Sequence, residues 1–441
     1  MSVLSKEEAK KILDKVLSFS KAEECQVSLG GNISGNVRYA RNTITTSGFN
    51  ENINLNVSAK FGRRIGSAST NELDDASIEK CVRRAEELAR LAPENPEAMP
   101  FLEQQTYLES QTYFEPTARI TPEYRASVAN EGISQAEKLG MTAAGFFEDG
   151  TTFSALANSK GLFAYNQSTG LEFTLTVRTN DGTGSGYAVK DYNDVTKFRP
   201  KEDSEIAVRK AELSRNPRAI EPGKYTVILE PAALVSDEGL LNNLVFSLGA
   251  RAADEGRSFF SKKGGGNKIG EKILDERLNI YSDPTHPEIP AQTWQGDGLA
   301  REKIWWFKNG VLQNLVYDRY WASQKGVKPV AFPSGVIVEG TSATVEDLIK
   351  DTKKGILVTR LWYIRSVDPQ TLLYTGLTRD GTFYIENGKI QYAIKNMRFN
   401  ESPIIMLNNL DALGKPERLN GNLVPPMRIR DFTFTSLSDA V

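Results

Sequence analysis

Metal and nucleophile chemistry has few residues to draw on in this chain. Among 441 residues there is one histidine, His286, and there are two cysteines, Cys25 and Cys81. A zinc site needs about three or four nitrogen, sulfur or carboxylate donors. Paired-histidine motifs, a three-histidine site and Cys-x-x-Cys are therefore excluded for this chain by itself. Two isolated cysteines cannot build a disulfide framework, and they suit a reducing compartment. His286 stands in Asp283-Pro284-Thr285-His286-Pro287, where the prolines predict an extended, exposed loop. A lone imidazole can serve as a general base, but no serine or cysteine nucleophile motif accompanies it, and G-x-S-x-G is absent. Ser18 and Lys21 satisfy S-x-x-K at a helix end beside Lys15, a match that chance spacing explains.

The remaining candidates are weaker. Carboxylates adjoin at Asp237-Glu238, Asp254-Glu255 and Asp275-Glu276. Neighbours on a helix point in different directions, so each pair reads as a solvated face, with an all-carboxylate metal site as the alternative. Residues 261–268, Ser-Lys-Lys-Gly-Gly-Gly-Asn-Lys, lack the Walker spacing and read as a solvated loop. Arg63-Arg64 is one basic pair rather than a stripe. With a formal net charge of -2, no global field draws nucleic acid or an anionic membrane. Trp305-Trp306-Phe307 alternates ring directions, placing at least one ring in the core and leaving another for an interface. No run of about 18 apolar residues marks a membrane span. The polar, charged start lacks a signal-peptide core, so a cytoplasmic location is expected.

The elements that carry these residues show a duplication. Ile53, Leu55 and Val57 alternate with polar residues, as do Phe173, Leu175 and Val177, 120 residues on; Gly66 and Gly186 keep that offset. Val82-Arg83-Arg84-Ala85-Glu86 recurs as Val208-Arg209-Lys210-Ala211-Glu212, 126 residues on. Ser5 with Glu8 forms a capping box for a helix ending near Phe19. Thr121-Pro122 opens the counterpart, which Gly140 stops. Each unit reads helix, antiparallel strands, helix, over about 1–100 and 118–216, with Pro93, Pro96 and Pro100 in the connector. After Glu221-Pro222-Gly223 the texture changes. Residues 225–229 form a strand ended by Pro231, and a helix-like run follows from Ala232 to about Ala253. Asn309-Gly310 and Asn387-Gly388 then predict hairpins with positive φ at both turn residues, with further turns at Ser334-Gly335 and Asp380-Gly381. The expected fold is α+β: a duplicated N-terminal domain, 1–220, then a β-rich C-terminal domain, 221–441.

Residues 61–69, Phe-Gly-Arg-Arg-Ile-Gly-Ser-Ala-Ser, and 256–261, Gly-Arg-Ser-Phe-Phe-Ser, with the two Asn-Gly hairpins, resemble the TldD/PmbA family, also called modulators of DNA gyrase or TldD/TldE proteases. The resemblance covers nearly the whole chain. It implies one of two subunit types. One type resembles a zinc metallopeptidase, with H-E-x-x-x-H on a helix and a late cysteine. The other, the PmbA or TldE type, lacks these ligands and pairs with the first. Family spacing from Ser258 places the motif at residues 241–246, which here are Leu241, Asn242, Asn243, Leu244, Val245 and Phe246. Neither histidine nor the glutamate is present, and no cysteine follows Cys81.

The expectation is therefore a subunit without cofactor or metal, any zinc residing on a TldD-like partner. Leu241, Asn242, Asn243, Val245, Phe246, Ser258 and Phe259 become candidates for peptide binding. The expected assembly is a heterodimer with the zinc subunit, or a homodimer, acting on peptide or unfolded polypeptide in the cytosol. The alternatives are a stand-alone homodimeric hydrolase with an atypical site, or a gyrase-modulating binding protein.

Overall fold

The computed structural model describes residues 3–236 and 239–438. Helix α1 (Lys6–Phe19) starts where the sequence predicts. The Ser5 hydroxyl accepts from the Glu8 N–H at 3.2 Å, and the Glu8 carboxylate accepts from the Ser5 N–H at 2.8 Å. Strands β1 (Glu24–Ala40), β2 (Thr43–Phe61) and β3 (Arg64–Thr70) follow, then α2 (Asp75–Leu91). The short α3 (Glu115–Ala118) leads into α4 (Pro122–Lys138), where Thr121 caps the Tyr124 N–H and Gly140 turns the chain at φ +61°. Strands β4 (Met141–Asn158), β5 (Phe163–Thr179) and β6 (Ser185–Tyr192), then α5 (Pro200–Leu213), repeat the plan.

The two units share one six-stranded sheet, ordered β3-β2-β1-β4-β5-β6, antiparallel throughout. Period-two patterning gives this sheet unlike faces. Val27, Leu29, Leu55 and Val57 pack on α1 and α2, while Phe147, Phe173, Leu175 and Val177 pack on α4 and α5. The opposite face carries Ser28, Asn32, Ser34, Asn52, Asn54, Thr152, Ser154 and Ser168, matched across the strand registers.

Gly66 and Gly186 have the same task in each unit. A Cβ on Gly66 would lie 2.1 Å from the Ala89 nitrogen and 2.5 Å from the Ala85 oxygen of α2. On Gly186 it would lie 2.1 Å from the Ala207 oxygen and 2.4 Å from the Ala211 nitrogen of α5. Helix backbone rests directly on strand backbone at both places. This packing equates Ala85 and Ala89 with Ala207 and Ala211, an offset of 122. The pentapeptide match at 126 is therefore displaced by four residues, one helical turn.

Beyond β7 (Gly223–Leu229) the chain forms two further sheets. In the nine-stranded one, β7 lies between Met427–Leu437, antiparallel to it, and Lys354–Val358, parallel to it. Both Asn-Gly hairpins form, with φ of +50° and +72° at Asn309-Gly310 and +52° and +74° at Asn387-Gly388. The single helix expected over 232–253 is instead three short ones: α6 (Pro231–Val235), α7 (Leu240–Phe246) and α8 (Ala250–Asp254). The break before α7 is a tight local turn. Gly239 lies so near the end of α6 that a Cβ would sit 2.2 Å from the Leu234 oxygen.

Candidate functional site

Helix α7 carries the positions where the resemblance places metal ligands. Leu241 and Leu244 are fully buried and Val245 nearly so, in the core shared with Trp306, Phe307 and Met406. Asn242 and Asn243 are half-buried, and their amides donate to the Val235 and Gly239 carbonyls at 3.1 Å each. Phe246 is 67% exposed and stacks on Phe332 at 5.7 Å. The inner side of the helix is thus sealed with hydrocarbon, and its outer side offers amides and one aromatic ledge. These side chains do not fit a zinc ion, which takes imidazole, thiolate or carboxylate donors.

Ser258 and Phe259 belong to a separate turn. The Ser258 hydroxyl accepts from the Phe260 N–H at 3.2 Å. The Phe259 ring meets Phe260 edge-on, and the Lys268 ammonium lies 4.0 Å from its centroid. The Gly-rich loop closes beside them, the Lys262 N–H donating to the Gly266 oxygen at 3.0 Å. Both residues serve this loop.

Three sequence expectations need correction. His286 lies in a half-buried turn rather than an extended loop; its Nδ1 accepts from the Glu288 N–H at 3.3 Å, and its own N–H donates to the Asp283 oxygen. Asp254 is not on a solvated face. It accepts from Trp321 Nε1 and Asn267 Nδ2, each at 2.8 Å, with the Lys325 ammonium at 3.4 Å. Burial opposes its charge, but these donors hold its carboxyl below the usual range. Asp275 is likewise held, by the Arg277 guanidinium and backbone N–H. Glu255 and Glu276 do face solvent with basic partners, and Asp237-Glu238 lies outside the described residues. Cys25 and Cys81 are buried free thiols that burial raises above their ordinary range, away from reactivity. Trp306 and Phe307 are the core rings of the aromatic run, and the Trp305 ring centroid lies 4.7 Å from that of Tyr281.

Sequence reasoning missed a cleft of ≈ 1130 Å³ over the polar face of the six-stranded sheet. Its floor is β1, β4 and β5, with Gly30, Gly150 and Gly170 exposing backbone between Asn32, Thr152, Ser154 and Ser168. Gln292, Trp294, Gly296 and Asn420 of the C-terminal half close it. At one end Glu148, Glu172 and Asp191 stand abreast on β4, β5 and β6. Arg418 neutralises Asp191 at 2.9 Å. The Asn420 amide donates at 3.2 Å to the Val235 oxygen, the carbonyl that Asn242 also binds. The cleft wall and α7 are therefore tied to the same carbonyl. The one sequence signal was the alternation of Asn52, Asn54 and Asn56.

A second feature unseen in the sequence is the buried pair Arg125–Asp149, with contacts of 2.6 and 2.9 Å. It clamps α4 to β4 under the cleft. Burial raises the Asp149 carboxyl despite Arg125. Among the described residues, no three His, Cys, Asp or Glu side chains are grouped to hold a metal.

Comparison with known proteins agrees along the chain. Residues 25–89 match the PmbA/TldA metallopeptidase domain 1, residues 115–215 its central domain and residues 222–436 its C-terminal domain. Metalloprotease PmbA of Escherichia coli O157:H7 is 24% identical over 97% of this chain and 98% of its own. A crystal structure from Thermotoga maritima, described as a modulator of a DNA gyrase, superposes with TM-score 0.86 at 18% identity, covering 97% of this chain and all of that one. TldE from Thermococcus kodakarensis superposes with TM-score 0.85 at 16% identity, covering 97% and 99%.

Proposed function

The chain belongs to the PmbA/TldD metallopeptidase family, and from that premise we propose that it is a non-catalytic, TldE-like subunit of a cytosolic TldD/TldE-type protease. The carrying observation is the chemistry of α7. Leu241, Asn242 and Phe246 stand where the resemblance puts H-E-x-x-x-H, and the chain offers one histidine and no cysteine beyond Cys81. A Lewis acid that activates water needs ligands, so catalysis falls to a zinc-bearing partner. This chain contributes assembly and a surface for extended polypeptide. The polar, glycine-floored cleft supports that part: it exceeds the roughly 300–1,000 Å³ of ordinary small-molecule sites and offers hydroxyls and amides suited to a peptide backbone.

The test is purification of the chain alone and with a TldD-like subunit. The pure chain should carry no stoichiometric zinc and cleave no unfolded polypeptide. The pair should co-purify and cleave in a chelator-sensitive way. Metal-dependent cleavage by the pure chain, or failure to associate, would overturn the reading.

A further inference from the structure

Gln292 and Trp294, which close the large cleft, also hold an arginine that lines a second pocket of ≈ 240 Å³. Arg301 Nε donates to the Phe332 oxygen at 3.2 Å. Its Nη1 donates to the Gln292 and Trp294 oxygens at 3.1 and 2.9 Å. These bonds fix the plane of the guanidinium. Its Nη2 meets no acceptor among the described residues, although that nitrogen is a donor too.

The charge of Arg301 is not cancelled locally. Among the described residues, no carboxylate pairs with it. Asp297 acts on it from further away and acts on Arg319 as well. Glu302 lines the same pocket, but its two oxygens accept from the Lys328 ammonium at 2.9 and 3.0 Å. Burial pushes the Arg301 pKa down, yet a guanidinium stays charged in a protein. Bridging carbonyls needs donors, not a charge. A half-buried cation with only dipoles for partners, and Nη2 left over, is arranged for an anion from outside.

Beside the guanidinium stand Pro284, Ile304, Trp306, Pro329, Phe332 and Pro333. Rings and prolines are stiff, so little side-chain freedom is lost when a ligand enters. The connector supplies another wall through Gln105 and Thr106. That wall is anchored along β5. The Phe163 N–H donates to Gln104 Oε1 at 2.9 Å, and the Thr169 N–H to the Thr112 oxygen at 3.0 Å. The Thr112 hydroxyl donates to the Gln167 oxygen at 2.6 Å. Phe332 joins the pocket to α7, because its ring stacks on Phe246. The volume falls below the roughly 300–1,000 Å³ of drug-sized sites. It suits one apolar residue at a chain end rather than a chain passing through.

We propose that this pocket binds the C-terminal carboxylate of a peptide, with an oxygen on Arg301 Nη2 and the last side chain against Phe332 and the prolines. The anion site is a property of the single chain; that its ligand is a peptide rests on the function proposed above.

The experiment titrates the full chain by calorimetry with N-acetyl-alanyl-leucine and with its C-terminal amide. Two further probes are N-acetyl-alanyl-glutamate capped as the α-amide, and inorganic phosphate. The free acid should bind at least about tenfold more tightly than its amide, because a charge-assisted bond is at stake. Neither the side-chain carboxylate nor phosphate should match it. Arg301→Gln should abolish the preference. Ala331→Leu fills the pocket and leaves the guanidinium in place; it should weaken the free acid by about tenfold with circular dichroism unchanged. If Arg301→Gln does not fold, Ala331→Leu decides. Equal binding of acid and amide, no binding of the acid, a preference that survives Arg301→Gln, or wild-type binding by Ala331→Leu would each overturn the proposal. So would tighter binding of phosphate or of the side-chain carboxylate. Failure to associate with a TldD-like subunit would overturn the proposed function and leave these titrations unchanged.

Discussion

At Asp254 a carboxylate, an indole and an amide from three separate stretches of chain meet, and the helix end, the Gly-rich loop and Trp321 are tied together. Removing the acceptor leaves two part-buried donors without a partner, a loss of about 1–3 kcal/mol. Asp254→Ala should lower stability by that amount in urea unfolding followed by tryptophan fluorescence. The pH dependence has a definite sign. The folded protein holds this carboxyl below its ordinary range, so the wild-type advantage is present above about pH 4 and fades as pH falls through the lowered folded-state value. A deficit that stays constant down to acid pH would contradict the role. None of this was legible in the sequence. Adjacency to Glu255 suggested a solvated pair, while the deciding partner lies 67 residues downstream. The α7 positions were legible for the opposite reason: side-chain type alone says what Leu241 and Phe246 cannot ligate.

At the scale of elements, short-range signals read true. The capping box at Ser5, the Thr121-Pro122 start and the Asn-Gly hairpins are each set by bonds or φ values within a few residues. Two readings failed, one at a tight local turn and one through periodicity. The break before α7 follows from contact with α6. The pentapeptide match slipped by four residues, and a shift of one turn keeps every side chain on nearly the same helix face, so patterning cannot detect it. The glycine contacts can. They also yield a paired prediction. Gly66→Ala and Gly186→Ala each force a methyl group into helix backbone, so each should destabilise by about 1–3 kcal/mol or more, measured as a shift in the denaturant midpoint. Little loss at either site would mean that helix and strand are free to separate there, and the unit equivalence would fall.

At the scale of the whole molecule, charge and topology decide different things. The net charge of -2 and the acidic row at the cleft mouth offer phosphates no attraction. Mobility-shift titrations at low salt should therefore show no binding whose log affinity falls steeply with log salt; a slope of several units would revive direct DNA binding. The fold class was legible because each half carries its own periodicity. The cleft was not, since its floor comes from residues near 28–34 and 150–170 and its roof from residues near 292 and 420. The two halves are held by the bidentate Arg251–Glu97 pair, by Arg418–Asp191, and by Asp380, which accepts from Ser185 at 2.6 Å and Arg360 at 2.8 Å.

The connector over β5 has a consequence best put in the terms of polymer chemistry. A stretch of strand with unpaired backbone is a reactive end, and the strap around Gln104 and Thr112 occupies the one along residues 163–170. If the strap were nicked or displaced, that stretch would lie open to pairing with another strand. The strap acts as an end-blocking group on this part of the sheet.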